Sequence, residues 1–378
     1  MIPDTRPISL SACAILCAAM ACAGCASAHA VRPTQTAARG EPVPVRPSAE
    51  TSPTVSREDA ADDPAVWVHP TDPARSLVRG SDKRAGLGVY TLDGEQVAFH
   101  TAGSINNIDT ALCDGTHIVA GTAVKANAVY AWSIDPRTGS LERIDGGGIP
   151  STLPSVYGFA LAELEGDTFA LTTSKTGQLE ITKLDLVTGQ IAGTHTATIP
   201  VGGQLEGVVA DGVNRVLYVG EEAVGVWRYD LPSGDTGAVD WEEALHHRRL
   251  IDTCRDTQGA GKLTSDAEGV TLWSPADSET EGYLIVSSQG SDRYAVYTRA
   301  APNNYLGAFQ IIPSVDGIDG TTHTDGIAAC AASLGERHPR GVFVAQDDDN
   351  SPERQNFKIV DWVDIAEALG LSLSDARP

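Results

Sequence analysis

The chain has 378 residues, 42% of them apolar, which is enough for a sizeable core and excludes disorder over the whole length. With 50 acidic residues against 27 basic, its net charge of −23 argues against nucleic acid and anionic membrane surfaces, which reward basic patches. The same balance fits a carboxylate-rich protein that binds divalent cations, or acidity that serves solubility alone.

In chain order, an apolar run from Ile8 to Gly24 follows Arg6 and Pro7. It is too short and too interrupted to span a bilayer as a mature helix, and residues 1–30 read as an export signal. Ala26-Ser27-Ala28 and Ala28-His29-Ala30 offer small-residue cleavage sites, whereas Ala23-Gly24-Cys25 has the ending of a bacterial lipoprotein signal, with Cys22 unusual at its first position. Export from a bacterial cytoplasm is expected, to the periplasm, the outer membrane or the medium, with membrane attachment through a lipidated Cys25 in the lipoprotein case. Residues 31–56, rich in Pro, Thr, Ala and Ser, are expected to form a solvated tether ahead of a domain over 57–378. Cys113, Cys254 and Cys330 remain in that domain without Cys-x-x-Cys spacing, so no zinc site is implied; buried thiols or one disulfide are expected.

From Arg57 onward, short runs of Val, Ile, Leu and Tyr alternate with Gly, Asp and Asn turns, which predicts an all-β domain. Two stretches invite a helix, Trp241 to Leu250 and Trp362 to Leu369. A unit of acid, small or turn residue and apolar run recurs at Asp63, Asp109, Tyr157 (acid missing), Glu206, Glu268 and Asp325, at separations of 46 to 62 residues. One four-stranded propeller blade takes ~40–50 residues, so six units predict a six-bladed β-propeller. Each unit would then be an innermost strand, and five would bring a carboxylate to one mouth of the channel. Converging anions need cations among them, unless each acid caps its own turn.

Several constellations could carry chemistry. Asp62 and Asp63 open one apolar strand, with Lys83 and Arg84 just before a second apolar run, Gly86 to Tyr90; acids suit hard cations and bases suit phosphate oxygens. Glu206 and Glu222 are placed to share a calcium ion. Asp266 and Glu268 alternate along a strand and share a face, which is unfavourable without a cation between them. Asp319 and Asp325 lie in a glycine-spaced loop that lacks the EF-hand order, and Asp347, Asp348, Asp349 and Asn350 form either another calcium loop or a polar turn. Lys175 and Arg293 are loop cations, and Tyr157 opens a blade. No Arg-His-Gly-x-Arg-x-Pro, Cys-x5-Arg or Gly-x-Ser-x-Gly run occurs, which leaves metal-activated water as the simplest nucleophile.

In order, Asp62-Asp63-Pro-Ala-Val-Trp, Lys83-Arg84-x-Gly-Leu-x-Val-Tyr, Asn106-Asn107-Ile-Asp109, Gln204-x-Glu206-Gly, Gly220-Glu221-Glu222-x-x-Gly-Val-Trp, Leu263-Thr-x-Asp266-x-Glu268-Gly, Ser287-Ser-Gln-Gly, Asp319-Gly-x-x-x-Thr-Asp325-Gly and Gln355-Asn-Phe-Lys-Ile-Val resemble the β-propeller phytases from about Glu58 to Trp362. The resemblance implies a calcium-dependent six-bladed phosphatase, of the 3-phytase type, that hydrolyses phytate (myo-inositol hexakisphosphate), taken as its calcium complex, to lower inositol phosphates. It implies that Asp62, Asp63, Glu206, Glu222, Asp266, Glu268, Asp319 and Asp325 hold several calcium ions. It further implies that Lys83, Arg84, Tyr157 and Lys175 grip phosphates, and that a calcium-activated water attacks phosphorus. A monomer is expected. Three positions depart from the family pattern: Ala111 stands for an arginine, Thr176 for an acid and His323 for an aspartate. Losing the arginine removes a charged hydrogen bond worth roughly 1.5–3 kcal/mol. Competing classes are another calcium-dependent propeller hydrolase, lactonase-like, which would not need Lys83, Arg84 and Lys175 together, and a non-catalytic binding propeller.

Overall fold

The computed structural model describes residues 40–234, 238–275, 278 and 281–373. Six antiparallel sheets follow one another along the chain. Blade 1 covers residues 61–101, blade 2 residues 105–150, blade 3 residues 159–200, blade 4 residues 205–253, blade 5 residues 267–311 and blade 6 residues 327–361. The first strand of each blade packs against the first strands of both neighbours, and blade 6 returns to blade 1, closing a six-membered ring around an axis. The middle strands are buried on both faces, as in Val216–Glu221 and Val342–Asp347, which explains their near-continuous apolar runs.

Ring closure corrects one expectation. The stretch taken as part of a solvated tether is built into the propeller. Val43–Val45 adds a parallel fifth strand to blade 5, and Ala49–Glu50 supplies the fourth, outermost strand of blade 6 beside Asn356–Asp361. Val43 and Val45 join the core that holds Tyr294, Phe309 and Phe343. Pro44 hides this strand from a compositional reading, but it faces outward between the two buried valines.

Helix Trp362–Leu369 forms as expected. Asp361 caps it by accepting from Val363 N at 2.8 Å, Gly370 ends it in the left-handed region, and Trp362, Ile365, Ala366 and Leu369 make its buried face. Trp362 stacks on Trp273 with ring centroids 4.8 Å apart. The Trp241–Leu250 expectation is too long. The α-helix covers Trp241–Ala244, a 3₁₀ turn follows to His247, and Arg248–Thr253 becomes the outer strand of blade 4. Cys113, Cys254 and Cys330 are free thiols. Among the described residues no helix is long and apolar enough to cross a membrane. The expected export signal and Cys25 lie outside the described residues.

Candidate metal centre at the channel mouth

The first strands of blades 1, 2, 4 and 5 share a local defect that creates the site. The pairing register of each shifts at its start, between Ala61 and Pro64, Ile105 and Ile108, Leu205 and Val208, and Ala267 and Val270. Each bulge re-aims the residue that opens it, a common use of bulges at functional sites. The equivalent positions are Asp62, Asn106, Glu206 and Glu268; Tyr157 and Asp325 stand at the corresponding starts of blades 3 and 6.

The residue after each is glycine in four blades because the next blade's backbone comes too close for a side chain. A Cβ on Gly158 would run into the Glu206 carbonyl, one on Gly207 into the Glu268 carbonyl, and one on Gly269 into the Asp325 carbonyl. Backbone bonds from Gly269 N to Asp325 O (2.9 Å) and from Gly326 N to Asp62 O (3.0 Å) make the same crossing.

This register corrects the expected ring of acids. The blade 2 position belongs to Asn106, not Asp109. Asp109 accepts instead from Thr110 N and from Leu161 N of blade 3, at 2.7 and 2.9 Å. Asp63 plays a similar part, accepting from Ile108 N of blade 2 at 3.0 Å. Both acids clamp blade to blade, so the mouth holds four axial carboxylates, not five.

Glu206, Glu222 and Glu268 form the innermost group. One oxygen of each lies within 4.8 Å of the others, and all three residues are buried. Glu206 Oε2, Glu222 Oε1 and Glu268 Oε2 are shielded from solvent without a hydrogen-bond partner among the described residues. Burial raises the pKa of Glu206 and of Glu268, and the Glu206 charge drives Glu268 higher still. The two share a hydrogen bond that favours the proton on Glu268. Burial also pushes Glu222 up to about 7, against a hydrogen bond from Gln204. Asn106 Nδ2 donates to Glu206 Oε1 at 3.2 Å. The Asn107 amide, nitrogen inward, reaches Glu206 Oε1 at 3.1 Å and Asp62 Oδ2 at 3.3 Å.

A second group surrounds Lys83. Its Nζ lies 2.7 Å from Asp59 Oδ1, 3.1 Å from Asp62 Oδ1 and 2.7 Å from Asp325 Oδ2. Burial opposes its charge, but Asp62 and then Asp325 hold the ammonium above its ordinary pKa. Gln289 Nε2 donates to the other Asp325 oxygen at 2.7 Å. Burial also raises Asp62, with Lys83 offsetting part of the rise.

Lys175 lies over the Tyr157 ring, Nζ 3.9 Å from the centroid. Burial, and next the Glu206 charge, keep the Tyr157 hydroxyl protonated while it hydrogen-bonds to Glu206. Asp266 flanks the glutamates; burial raises it first, and Asp256 and Asp325 add to the rise.

Not every expected residue joins the mouth. Arg84 is half-exposed and turns to the Asp59 carbonyl (2.9 Å) and to Glu58 (3.2 Å). Asp319 belongs with blade 6, where fully buried Lys358 pairs with it, with Glu50 Oε2 at 2.7 Å and with Asp347 Oδ2 at 3.1 Å. The Asp347 loop therefore faces an ammonium in this structure. Of the departures, Ala111 packs on the apolar cluster between blades 2 and 3, Thr176 Oγ1 donates to Gln178, and His323 N donates to Asp292. Asn106, Asn107, Gln289 and Asp59 lie beyond the expected site residues; the pair Asn106-Asn107 stands in blade 2 where Asp62-Asp63 stands in blade 1, each just ahead of its apolar run.

The donor set fits a hard cation. It is all oxygen, with no Cys or His, and two oxygens on one calcium at ~2.3–2.6 Å can stand at most about 5 Å apart. The glutamate oxygens meet that limit. Orphaned buried carboxylate oxygens are costly, and a cation between them removes the cost.

A protein-family model described as Phytase matches residues 10–376. The 3-phytase of Bacillus subtilis (strain 168) is 35% identical over 339 residues, which is 85% of this chain and 84% of that protein. The solved structure of a luciferin-regenerating enzyme superposes with a TM-score of 0.51 at 12% identity, covering 82% of this chain and 95% of that one; this likeness shows the fold alone.

Proposed function

The chain belongs to the phytase family, and from that premise we propose that it hydrolyses phytate through calcium ions held at the channel mouth. The observation that carries the calcium reading is the buried cluster of Glu206, Glu222 and Glu268, one oxygen of each within 4.8 Å of the others, in which each glutamate also keeps a shielded oxygen without a partner. Glu206, Glu222 and Glu268 would hold one ion, and Asp62, Asp266 and Asp325 border the space for others. Bound calcium supplies the positive charge that lets a carboxylate-lined mouth accept a polyanion and that acidifies water for attack on phosphorus.

The chain's own residues orient and balance that site. Tyr157 donates to Glu206 and keeps its proton, so the phenol fixes one carboxylate while its ring supports Lys175. Lys83 and Lys175 come from blades 1 and 3 and offer two cations to phosphate oxygens. Asn106 and Asn107 donate to Glu206 and Asp62 and hold these carboxylates apart. The missing guanidinium at Ala111 leaves the two lysines with more of the phosphate contact.

The test is phosphate release from phytate. Turnover in calcium, its loss in excess chelator and its return on adding calcium back are expected. Turnover that survives thorough calcium removal would overturn the reading.

A further inference from the structure

Glu206 and Glu268 stand on axial strands, where ladder bonds fix the backbone; Glu222 and Asp266 do not. Glu222 lies in the turn between Val216–Glu221 and Gly225–Asp230, and Asp266 just ahead of Ala267–Trp273. Their places beside the other carboxylates depend on what grips those two stretches. The grip comes from residues 254–263, which lead from the outer strand of blade 4 towards blade 5.

This segment is anchored at both ends. Cys254 and Leu263 are fully buried in the cluster that holds Tyr218, Val226 and Val270. Arg255 N donates to Leu263 O at 3.0 Å and Leu263 N donates to Thr253 O at 3.3 Å, so the segment closes on itself. Between the anchors runs one helical turn, Arg255–Gln258, ended by Gly259 in the left-handed region. Gly261 then passes so near the Thr253 carbonyl that a Cβ there would collide with it.

From this platform three successive carbonyls of the Glu222 turn are bonded. Cys254 Sγ donates to Glu222 O at 3.4 Å. Thr257 Oγ1 and Gln258 Nε2 both donate to Ala223 O, the second at 3.1 Å, and Cys254 N donates to Val224 O at 2.9 Å. On its other side, Asp256 accepts from Ser265 N at 3.0 Å and from Ser265 Oγ, which holds the residue before Asp266. Asp256, Thr257 and Gln258 are exposed, yet each bonds the backbone or side chain of a carboxylate-bearing stretch.

We propose that residues 254–263 form a clip that positions Glu222 and Asp266 for calcium, with Asp256 and Thr257 as its positioning residues. The inference rests on the calcium reading of the channel mouth. Groups that orient metal ligands typically carry about 10–100-fold in metal affinity, because a ligand free to wander must be ordered when the ion binds.

The test is calcium affinity of the full chain, measured by calorimetry and chelator competition without substrate. Asp256→Ala/Thr257→Val should weaken it about 10-fold or more, with the melting temperature in chelator matched to wild type as the folding control. Asp256→Asn keeps an oxygen acceptor for Ser265 and removes the charge, so it should retain most of the affinity. At saturating calcium, phosphate release by the double variant should return to the wild-type rate. Wild-type affinity in the double variant would overturn the clip, and so would an Asp256→Asn affinity as poor as that of Asp256→Ala, which would assign the effect to charge. Failure of the two readings is distinguishable: wild-type protein that binds no calcium would sink the metal reading itself. Calcium binding without phosphate release from phytate would sink the activity and leave the clip to be judged on affinity.

Discussion

Glu268 is where burial and charge conflict most sharply. Its carboxyl is pushed well up by burial and by Glu206, and it keeps an oxygen without a partner. Glu268→Gln preserves the shape and removes the charge a cation needs. Phosphate release should fall on the order of 100-fold, as for loss of one electrostatic stabiliser. Calcium affinity should fall with it, while the calcium-free melting temperature holds or rises. A variant that keeps wild-type calcium affinity would contradict the cage. Glu222, pushed up to about 7, adds a pH dependence. Protons compete with calcium for it, so affinity should drop as pH falls from about 8 to about 5.5, with protons released on binding. Calcium titrations at those two pH values read it directly.

At the scale of elements, the strap Val43–Glu50 decides whether the ring closes. It brings two buried valines, each worth about 1.5–3 kcal/mol on burial, and completes blade 6. A chain beginning at Gly40 should therefore melt cooperatively, and one beginning at Arg57 should melt far lower or aggregate. Equal melting temperatures would show the strap to be dispensable. Lys358 clasps the same strap through Glu50 while also holding Asp347 and Asp319. Lys358→Met would strand those acids, at a cost of about 3–5 kcal/mol read by denaturant unfolding.

For the whole molecule, stability and metal should be linked through the buried acids. The folded pKa of Glu222, about 7, exceeds its ordinary 4.5. The folded state thus binds the extra proton between those values. The stability this contributes is complete below about pH 4.5 and is lost as pH rises through about 7. Calcium-free protein should melt progressively lower from pH 5 to pH 8, and saturating calcium should cancel the decline by binding the folded state alone. Thermal scans with and without chelator across that range would show a flat calcium-free profile if the acids were not held in this way.

Much of this was legible in residue order. Six recurrences of strand-opening residues before apolar runs determine the blade number, because a blade must bury an alternating strand at a regular interval. Asp62, Glu206, Glu268 and Asp325, each at the head of such a run, mark the channel mouth for the same reason. Residue order also determines the strong negative charge and the helix after Asp361. Only the tertiary structure decided what distance and register control. Bulges that set two residues against one, in blades 1 and 2, move the blade 2 position from Asp109 to Asn106 and turn Asp63 towards Ile108. Ring closure draws a proline-bearing segment into two blades some 300 residues away in sequence. Lys83 meets Asp325 across the seam between blades 1 and 6, and Asp319 meets Lys358 from the loop ahead of blade 6; no local pattern encodes these contacts, because side-chain electrostatics act through space and not along the chain.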